Sequence, residues 1–285
     1  MTVLGILHPG SMGAAVAAQA RLQGSEVLWC PEGRSSASRE RALRYGFAAV
    51  GDLREMTERA DVILAICPPA HAEEVAAAVA THPFSGVYVD GNAISPASMA
   101  SISATMLRTG ATVVDGSVIG SPPSESKTTR LYLSGPAEAL TPVASVFSGS
   151  AVRVHLLPGG IGQASALKLS YSSYQKASRV LAAVAYALAS DYGVEEELLD
   201  VAQGRTTSYL AESAYFPKVA ARSWRWAPEM EEVAQALAEV DLPPDLAVAA
   251  AATMSRWESL KDTTVDVTRA LDALHLRPDR GSTTE

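Results

Sequence analysis

The sequence predicts an α/β domain with a mostly parallel, doubly wound sheet, followed by an all-α C-terminal domain. Short apolar segments alternate with helical patterns in residues 1–158, which is typical of a parallel sheet with helices on both faces. Beyond residue 158 the strand patterns stop and only helical patterns follow. A chain of 285 residues is long enough for two domains. We therefore expect an α/β domain over 1–158, a helical domain over 159–277 and a frayed tail over 278–285.

The first domain contains the predicted strands. Seven apolar runs mark them, at residues 3–7, 26–30, 61–66, 87–90, 112–115, 131–134 and 151–156. Helical patterns lie between the early strands, at residues 14–22, 38–45 and 72–80. The run at 61–66 is followed by Pro68-Pro69, which cannot continue a hydrogen-bonded ladder.

The second domain has almost no strand signal. One long helix is predicted from residue 161 to about 190, because neither Pro nor Gly follows Gly162 in this stretch. Further helical patterns occupy residues 195–202, 229–238, 246–260 and 265–274.

Composition excludes several classes of protein. The formal net charge is -8, so electrostatics give no case for nucleic acid or an anionic membrane as a partner. No apolar stretch reaches the length of a membrane span. Two cysteines do not form a disulfide framework, and we expect a reducing, cytoplasmic location. The five histidines are scattered, and no metal site is predicted.

A glycine turn joins the first strand to the first helix, with the sequence His8-Pro9-Gly10-Ser11-Met12-Gly13. In this context Gly10 would let the backbone approach a pyrophosphate, and Gly13 would allow tight packing of the helix on the strand. The free N–H groups of the helix would hold the anion. His8 stands where the fingerprint G-x-G-x-x-G has its first glycine. An ordinary strand-to-helix turn is the alternative, but the position and the following strands favour a Rossmann dinucleotide site.

The choice of dinucleotide depends on the end of the second strand, where NAD enzymes tend to place a carboxylate. This strand ends at Cys30 without one. Arg34 and Ser35 follow it, and a guanidinium with a hydroxyl suits a 2′-phosphate. We therefore favour NADP(H) over NAD(H). Two alternatives remain: Ser35 as a helix N-cap, and Glu32 on the ribose of NAD.

Other strand ends add candidates, because ligands of open α/β sheets bind beyond the carboxyl ends of the strands. Cys67, Pro68 and Pro69 follow one strand, and Asn92 follows the next. We assign these residues to the cofactor site. Asp90 and Asp115 also end strands, and either carboxylate could instead cap a neighbouring turn.

Four segments together resemble a known family. They are the glycine turn and residues 89–96, 114–120 and 162–168. In this order and spacing they are similar to the landmarks of the beta-hydroxyacid dehydrogenase and imine reductase superfamily, relatives of 6-phosphogluconate dehydrogenase. The turn and the Ala-Leu-Lys helix look most like a subgroup with a distinct C-terminal domain. The resemblance extends through about residue 275.

The resemblance implies that Lys168 is the general acid and base. The sequence supports a polar site there independently, because helical spacing places Ser165, Lys168, Tyr171, Ser172 and Gln175 on one face. Reduction of a C=O group leaves charge on oxygen, so a proton donor must lie nearby. A partly desolvated lysine suits that task. A surface lysine on a solvated face is the alternative.

Further roles are predicted around this lysine. Asn92 and Ser172 are expected to orient substrate and nicotinamide, with Tyr171 beside them. Ser172 replaces the asparagine that the family has four residues after its lysine. We assign the substrate to Ile119, Gly120, Ser121 and Ser165. The first three replace a Ser-Gly-Gly that holds a carboxylate in the family, and isoleucine cannot donate a hydrogen bond.

The predicted function is an NADP(H)-dependent oxidoreductase that transfers a hydride between nicotinamide and a small carbonyl or hydroxy substrate. Loss of the carboxylate anchor leaves imine reduction open as an alternative. A non-catalytic NADP sensor or scaffold is an alternative of another class. We also expect a homodimer through the helical domain, although the apolar stretch at 177–189 is equally compatible with a monomeric core.

Overall fold

The computed structural model describes residues 1–204, 207, 209 and 212–275. The predicted tail at 278–285 lies outside these residues. The chain divides into two compact units at the junction of Ser173 and Tyr174.

The first unit is built on an eight-stranded sheet. Its strands are β1 (Val3–Ile6), β2 (Glu26–Trp29), β3 (Ala48–Ala49), β4 (Val62–Ala65), β5 (Val87–Asp90), β6 (Thr112–Ile119), β7 (Thr129–Ser134) and β8 (Val152–Leu156). They lie in the order β3-β2-β1-β4-β5-β6-β7-β8. All neighbours are parallel except β6 and β7, which are antiparallel. The predicted fold class, a mostly parallel doubly wound sheet, is confirmed.

Helices cover both faces of the sheet. They are α1 (Ser11–Leu22), α2 (Ser36–Arg44), α3 (Leu53–Arg59), α4 (Ala72–Val79), α5 (Pro96–Leu107) and α6 (Ala137–Val146). One apolar core contains residues of α1 and α6, including Val16 and Leu140. The opposite core contains residues of α3, α4 and α5, including Met56 and Ile102. Because β4 is covered on both faces, all four of its residues are buried, which explains its continuous apolar sequence.

The order of the strands reverses beside β1. The chain passes from β1 outward through β2 and β3, then returns to place β4 on the other side of β1. Connections that leave β1 and β4 therefore diverge to opposite sides of the sheet. In open α/β sheets the crevice at such a switch point is where ligands bind.

The second unit is helical in the residues that the structure describes. Its helices are α8 (Glu195–Gln203), α9 (Phe216–Glu239), α10 (Asp245–Met254) and α11 (Val267–Asp272), together with the end of α7 (Gln163–Asp191). The division between the units falls within α7. Among the described residues no helix is both long and apolar enough to cross a membrane.

Candidate functional site

The turn between β1 and α1 presents the start of a helix. Gly10 is the N-cap residue of α1 and, having no side chain, provides no side-chain cap. Its own N–H donates to the His8 carbonyl oxygen at 2.8 Å, and its carbonyl oxygen accepts from Ala14 N–H at 2.9 Å. The first N–H groups of an α-helix have no intrahelical acceptor. The turn can therefore offer backbone donors and a positive dipole end to an anion.

The two glycines of this turn face different surroundings. A Cβ at Gly13 would lie 2.5 Å from the His8 carbonyl oxygen, so α1 packs on the end of β1 at a distance that only glycine permits. A Cβ at Gly10 would meet nothing within 4 Å, and the backbone there is extended, with φ of -68°. Gly13 is thus required by packing within the protein, whereas Gly10 leaves space in front of the backbone.

A cavity of about 450 Å³ opens at this turn. Its lining comes from the glycine turn, the loop after β2 and the loop after β4: His8, Gly10, Ser11, Met12, Gly13, Gly33, Arg34, Ser35, Ser38, Ile66, Cys67 and Pro68. Most of the cofactor residues predicted from sequence are in this set. Pro9, Glu32, Pro69 and Asn92 are predicted cofactor residues outside it. Gly33, Ser38 and Ile66 line the cavity although sequence reasoning did not select them.

The loop after β2 brings a cation to the cavity. Ser35 is the N-cap of α2, and its Oγ accepts the Ser38 N–H at 3.3 Å, so the N-cap alternative is correct for this residue. Arg34 precedes it, and its Nε is buried with no hydrogen-bond partner in the described part of the chain. A guanidinium beside hydroxyls and a helix start is suited to a phosphate group.

His8 faces the same cavity. Its side chain is half-buried, and Nδ1 is buried without a hydrogen-bond partner among the described residues. Burial lowers the pKa of His8 to about 4, with further lowering by the charges of Arg34 and His71. The imidazole is therefore neutral near pH 7.

Asn92 is 2% exposed and is not part of the cavity lining. Its Oδ1 accepts the Cys67 N–H at 2.6 Å, and its Nδ2 donates to Asp90 Oδ2 at 3.1 Å. Its own N–H donates to Asp90 Oδ1 at 3.0 Å. Burial raises the pKa of Asp90 to about 6, while the two Asn92 hydrogen bonds oppose that rise. Asn92 thus fixes the loop that carries Cys67 and Pro68, and its expected contact with nicotinamide stays a prediction.

Lys168 lies on α7 against the sheet. Its Nζ donates to the Val118 carbonyl oxygen of β6 at 2.7 Å, and its side chain is half-buried. Val118 immediately precedes Ile119-Gly120-Ser121, so the predicted general acid and the predicted substrate segment are brought together. In that segment Gly120 has a φ of +137°, which favours glycine, and Ser121 is exposed.

The start of α7 is held by a buried carboxylate. Asp115 Oδ2 accepts the N–H groups of Gly162 and Ser165, at 2.9 and 3.0 Å, and the Ser134 hydroxyl at 3.2 Å. Asp115 Oδ1 accepts the Ser165 hydroxyl at 2.7 Å. Of the two roles considered for Asp115, the structure shows the cap. The Ser165 hydroxyl is engaged within the protein, and its assignment to substrate stays a prediction.

The remaining predicted site residues follow Lys168 on α7. Tyr171 is 37% exposed and Ser172 is half-buried. In the described residues no group of three or more His, Cys, Asp or Glu side chains is arranged to hold a metal ion.

A glycine turn that opens on a cavity at the switch point of a doubly wound sheet defines a Rossmann-type dinucleotide-binding protein. Residues 3–159 match the family described as the NAD binding domain of 6-phosphogluconate dehydrogenase, and the chain belongs to that family. Residues 189–257 match a domain of unknown function, DUF1932. The resemblance expected from the four sequence segments, including a distinct C-terminal domain, is confirmed.

Similar proteins have been described. An uncharacterised 28.5 kDa protein in the 7S RNA 5′ region of Methanothermus fervidus is 25% identical over 176 residues, which are 62% of this chain and 66% of that protein. The match thus spans just under two thirds of the relative. A solved conserved protein of unknown function, reported as similar to 3-hydroxyacid dehydrogenases, is 25% identical with a TM-score of 0.59, covering 90% of this chain and 98% of its own.

A third similarity concerns the fold alone. The reductive aminase of Aspergillus terreus, solved with NADPH and ethyl levulinate, gives a TM-score of 0.74 at 18% identity. The alignment covers 96% of this chain and all of that one.

Proposed function

We propose that this protein is an NADP(H)-dependent oxidoreductase that transfers a hydride between nicotinamide and a small carbonyl or hydroxy substrate. The observation that carries the proposal is the placement of Arg34 in the same cavity as the glycine turn, with its buried Nε lacking a partner in the described chain. A buried, unpaired donor on a permanent cation is costly unless a ligand satisfies it. A dinucleotide with a 2′-phosphate supplies such an acceptor.

The residues of the cavity fit an NADP(H) molecule better than an NAD(H) molecule. Arg34 lies beside the hydroxyl groups of Ser35 and Ser38 in the lining. Glu32, the carboxylate that would hold the ribose of NAD(H), is exposed and is not part of that lining. The open space at Gly10 and the start of α1 fit the pyrophosphate of either dinucleotide.

Binding of the two dinucleotides to Arg34→Ala tests the cofactor assignment. Hydrogen bonds to a charged group contribute about 1.5–3 kcal/mol, so NADPH affinity should fall about 10- to 100-fold. NADH affinity should hardly change. Arg44→Ala, at the exposed last turn of α2, is the matched control and should bind both as the wild type does. Equal or tighter NADH binding that Arg34→Ala leaves untouched would contradict the assignment.

Lys168 would act as the general acid and base of this reaction. Bound nicotinamide supplies or accepts the hydride. The contact of the Lys168 ammonium with the Val118 carbonyl oxygen keeps it beside Ile119-Gly120-Ser121. From there it would give a proton to the substrate oxygen during reduction and remove it during oxidation. Asn92, Ser172 and Tyr171 would orient the reactants around it.

A second candidate reaction is reduction of an imine. The observation that favours it is Ile119, whose side chain cannot donate a hydrogen bond to a substrate carboxylate. A neutral ketone or an imine has no carboxylate, so such a substrate does not need a hydrogen-bond donor at this position. Lys168 would then protonate nitrogen in place of oxygen.

The helical unit is proposed to pair with a second copy of the chain. An apolar cavity of about 690 Å³ is lined by α7, α8, α9 and α10. Around it large apolar side chains are exposed, among them Leu181 at 49%, Tyr192 at 58% and Val201 at 76%. A clustered apolar surface of this kind marks an interaction site on a soluble protein. The exposure of Leu181 favours the dimer over the monomeric core that the sequence also allowed.

A further inference from the structure

Two residues in the lining of the dinucleotide cavity carry buried nitrogen atoms that have no partners among the residues that the structure describes. The atoms are His8 Nδ1 and Arg34 Nε, and neither has a hydrogen bond within the described part of the chain. They come from different elements, the turn after β1 and the loop after β2. Buried polar atoms in native proteins are almost always satisfied, so a pair of unsatisfied atoms in one cavity points to a ligand that accepts from both.

We propose that His8 is a ligand of the 2′-phosphate, sharing it with Arg34, and that His8 takes up a proton when this phosphate binds. The inference rests on the proposed preference for NADP(H). His8 occupies the position of the first glycine in the dinucleotide fingerprint, and this proposal gives its side chain a function. Glycine at that position offers no side-chain donor, whereas a protonated imidazole donates to a phosphate oxygen.

The charges around His8 explain the coupling. Arg34 faces it from the loop after β2, and His71 from the 3-10 turn Pro69–His71 after β4. Cys67 is the remaining titratable group in the cavity lining, which contains no carboxylate. The exposed Glu74 carboxylate lies 3.2 Å from His71 Nδ1, so it interacts with that histidine. Burial, together with the charges of Arg34 and His71 and the lack of an anion in the lining, favours the neutral form of His8.

Binding of a phosphate reverses this balance. A phosphate monoester carries between one and two negative charges near neutral pH. An opposite charge within hydrogen-bonding range typically raises the pKa of a base by about 1–3 units. The phosphate also offsets the charge of Arg34, which lowers the pKa of His8 in the free protein. We expect the pKa of His8 to rise by about 2 units.

Nuclear magnetic resonance of the histidine ring tests the inference directly. The protein is labelled with ¹³C-histidine, and the resonance missing from His8→Asn identifies His8. Its pKa is measured in the free protein, with adenosine 2′,5′-bisphosphate and with adenosine 5′-monophosphate. The two ligands differ only in the 2′-phosphate. We expect a rise of about 2 units with the bisphosphate and less than about 0.5 unit with the monophosphate.

Affinity measurements provide a second readout. In His8→Ala the bisphosphate should bind about tenfold more weakly at pH 5, and the monophosphate should bind as before. His275→Asn is the matched control, because this exposed histidine lies outside the cavity lining and does not shift the pKa of His8, and it should keep the wild-type affinity. His8→Gln retains a donor without a charge, so it should recover part of the lost affinity. Its affinity for the bisphosphate should not gain the increase at low pH that protonation of His8 provides. Urea unfolding confirms that each variant is folded.

Failures of the two proposals give different results. If the bisphosphate binds more tightly than the monophosphate while the pKa of His8 stays near its free value, the role of His8 is overturned and the NADP(H) preference stands. If both ligands bind equally, the cofactor assignment and the role of His8 both fall.

Discussion

At the scale of single residues, the site depends on two glycines with different tasks. Gly13 lets α1 lie against β1, because a side chain would meet the His8 carbonyl oxygen. Gly10 leaves space on the side where a pyrophosphate would lie. Gly13 thus serves the fold and Gly10 is proposed to serve the ligand, although both belong to the same fingerprint.

Alanine substitutions should separate these tasks. Gly13→Ala forces an overpacked contact with backbone, so its free energy of unfolding should fall by about 1–3 kcal/mol. Gly10→Ala adopts its extended φ without strain, so its free energy of unfolding should stay within about 0.5 kcal/mol of wild type. Its NADPH affinity should fall at least about tenfold, because the methyl group enters the cavity. Urea unfolding and fluorescence titration measure both quantities. Tight NADPH binding by Gly10→Ala would contradict the assigned approach of the pyrophosphate.

At the scale of elements, the beginning of α7 determines where Lys168 lies. The Asp115 carboxylate on β6 binds the first turn of this helix through backbone N–H groups and the Ser165 hydroxyl. Lys168 follows Ser165 by three residues and reaches Val118, on the same strand as Asp115. The strand therefore holds the helix at one point and the side chain of the proposed general acid at another.

Asp115→Asn should disturb this arrangement. An amide offers one acceptor oxygen, and its NH₂ group would face N–H donors. The free energy of unfolding should fall by about 3 kcal/mol, the size of a lost charge-assisted hydrogen bond that leaves donors unsatisfied. Asp191→Asn, at the exposed end of α7, is the control and should change it by less than about 0.5 kcal/mol. A denaturation midpoint equal to that of wild type would show that Asp115 does not hold the helix.

The strands of the sheet were predictable because their burial leaves continuous apolar runs. Elements with weaker patterns were not recognised. β3 has only two residues, and α5 is rich in Ser and Ala with little contrast between its faces. Its start was nevertheless encoded, since Ser95 is the N-cap and Pro96 the first helical residue. The helix predicted at 229–238 is longer in the structure: α9 begins already at Phe216, and Pro228 lies inside it.

The candidate site was predictable where it is local in sequence. The glycine turn and Arg34 follow directly from strand ends. The sequence predicts that the helix begins at Ser38, but α2 begins at Ser36. Ser38 lies in the cavity lining, which the sequence pattern did not indicate. The contact between Lys168 and Val118 spans 50 residues, and only the folded chain shows it.

At the scale of the whole molecule, the proposed dimer accounts for the apolar surface of the helical unit. Leu181→Glu places a charge in that surface and should convert a dimer into a monomer. Light scattering after size-exclusion chromatography should give about twice 29.8 kDa for the wild type and about that mass for the variant. Leu107→Glu, at an equally exposed apolar position on α5, is the control and should remain dimeric. A monomeric wild type at micromolar concentration would contradict the proposal.

The most direct test of the proposed function is NADPH oxidation with a panel of ketones, aldehydes, semialdehydes and imines. The proposal predicts turnover with at least one of them and a loss of about 10²- to 10⁴-fold in Lys168→Ala, because general acid catalysis contributes that factor. Lys176→Ala, at an exposed position on the same helix, should keep wild-type turnover. Tight NADPH binding without turnover across the panel would contradict an oxidoreductase and indicate a sensor or scaffold.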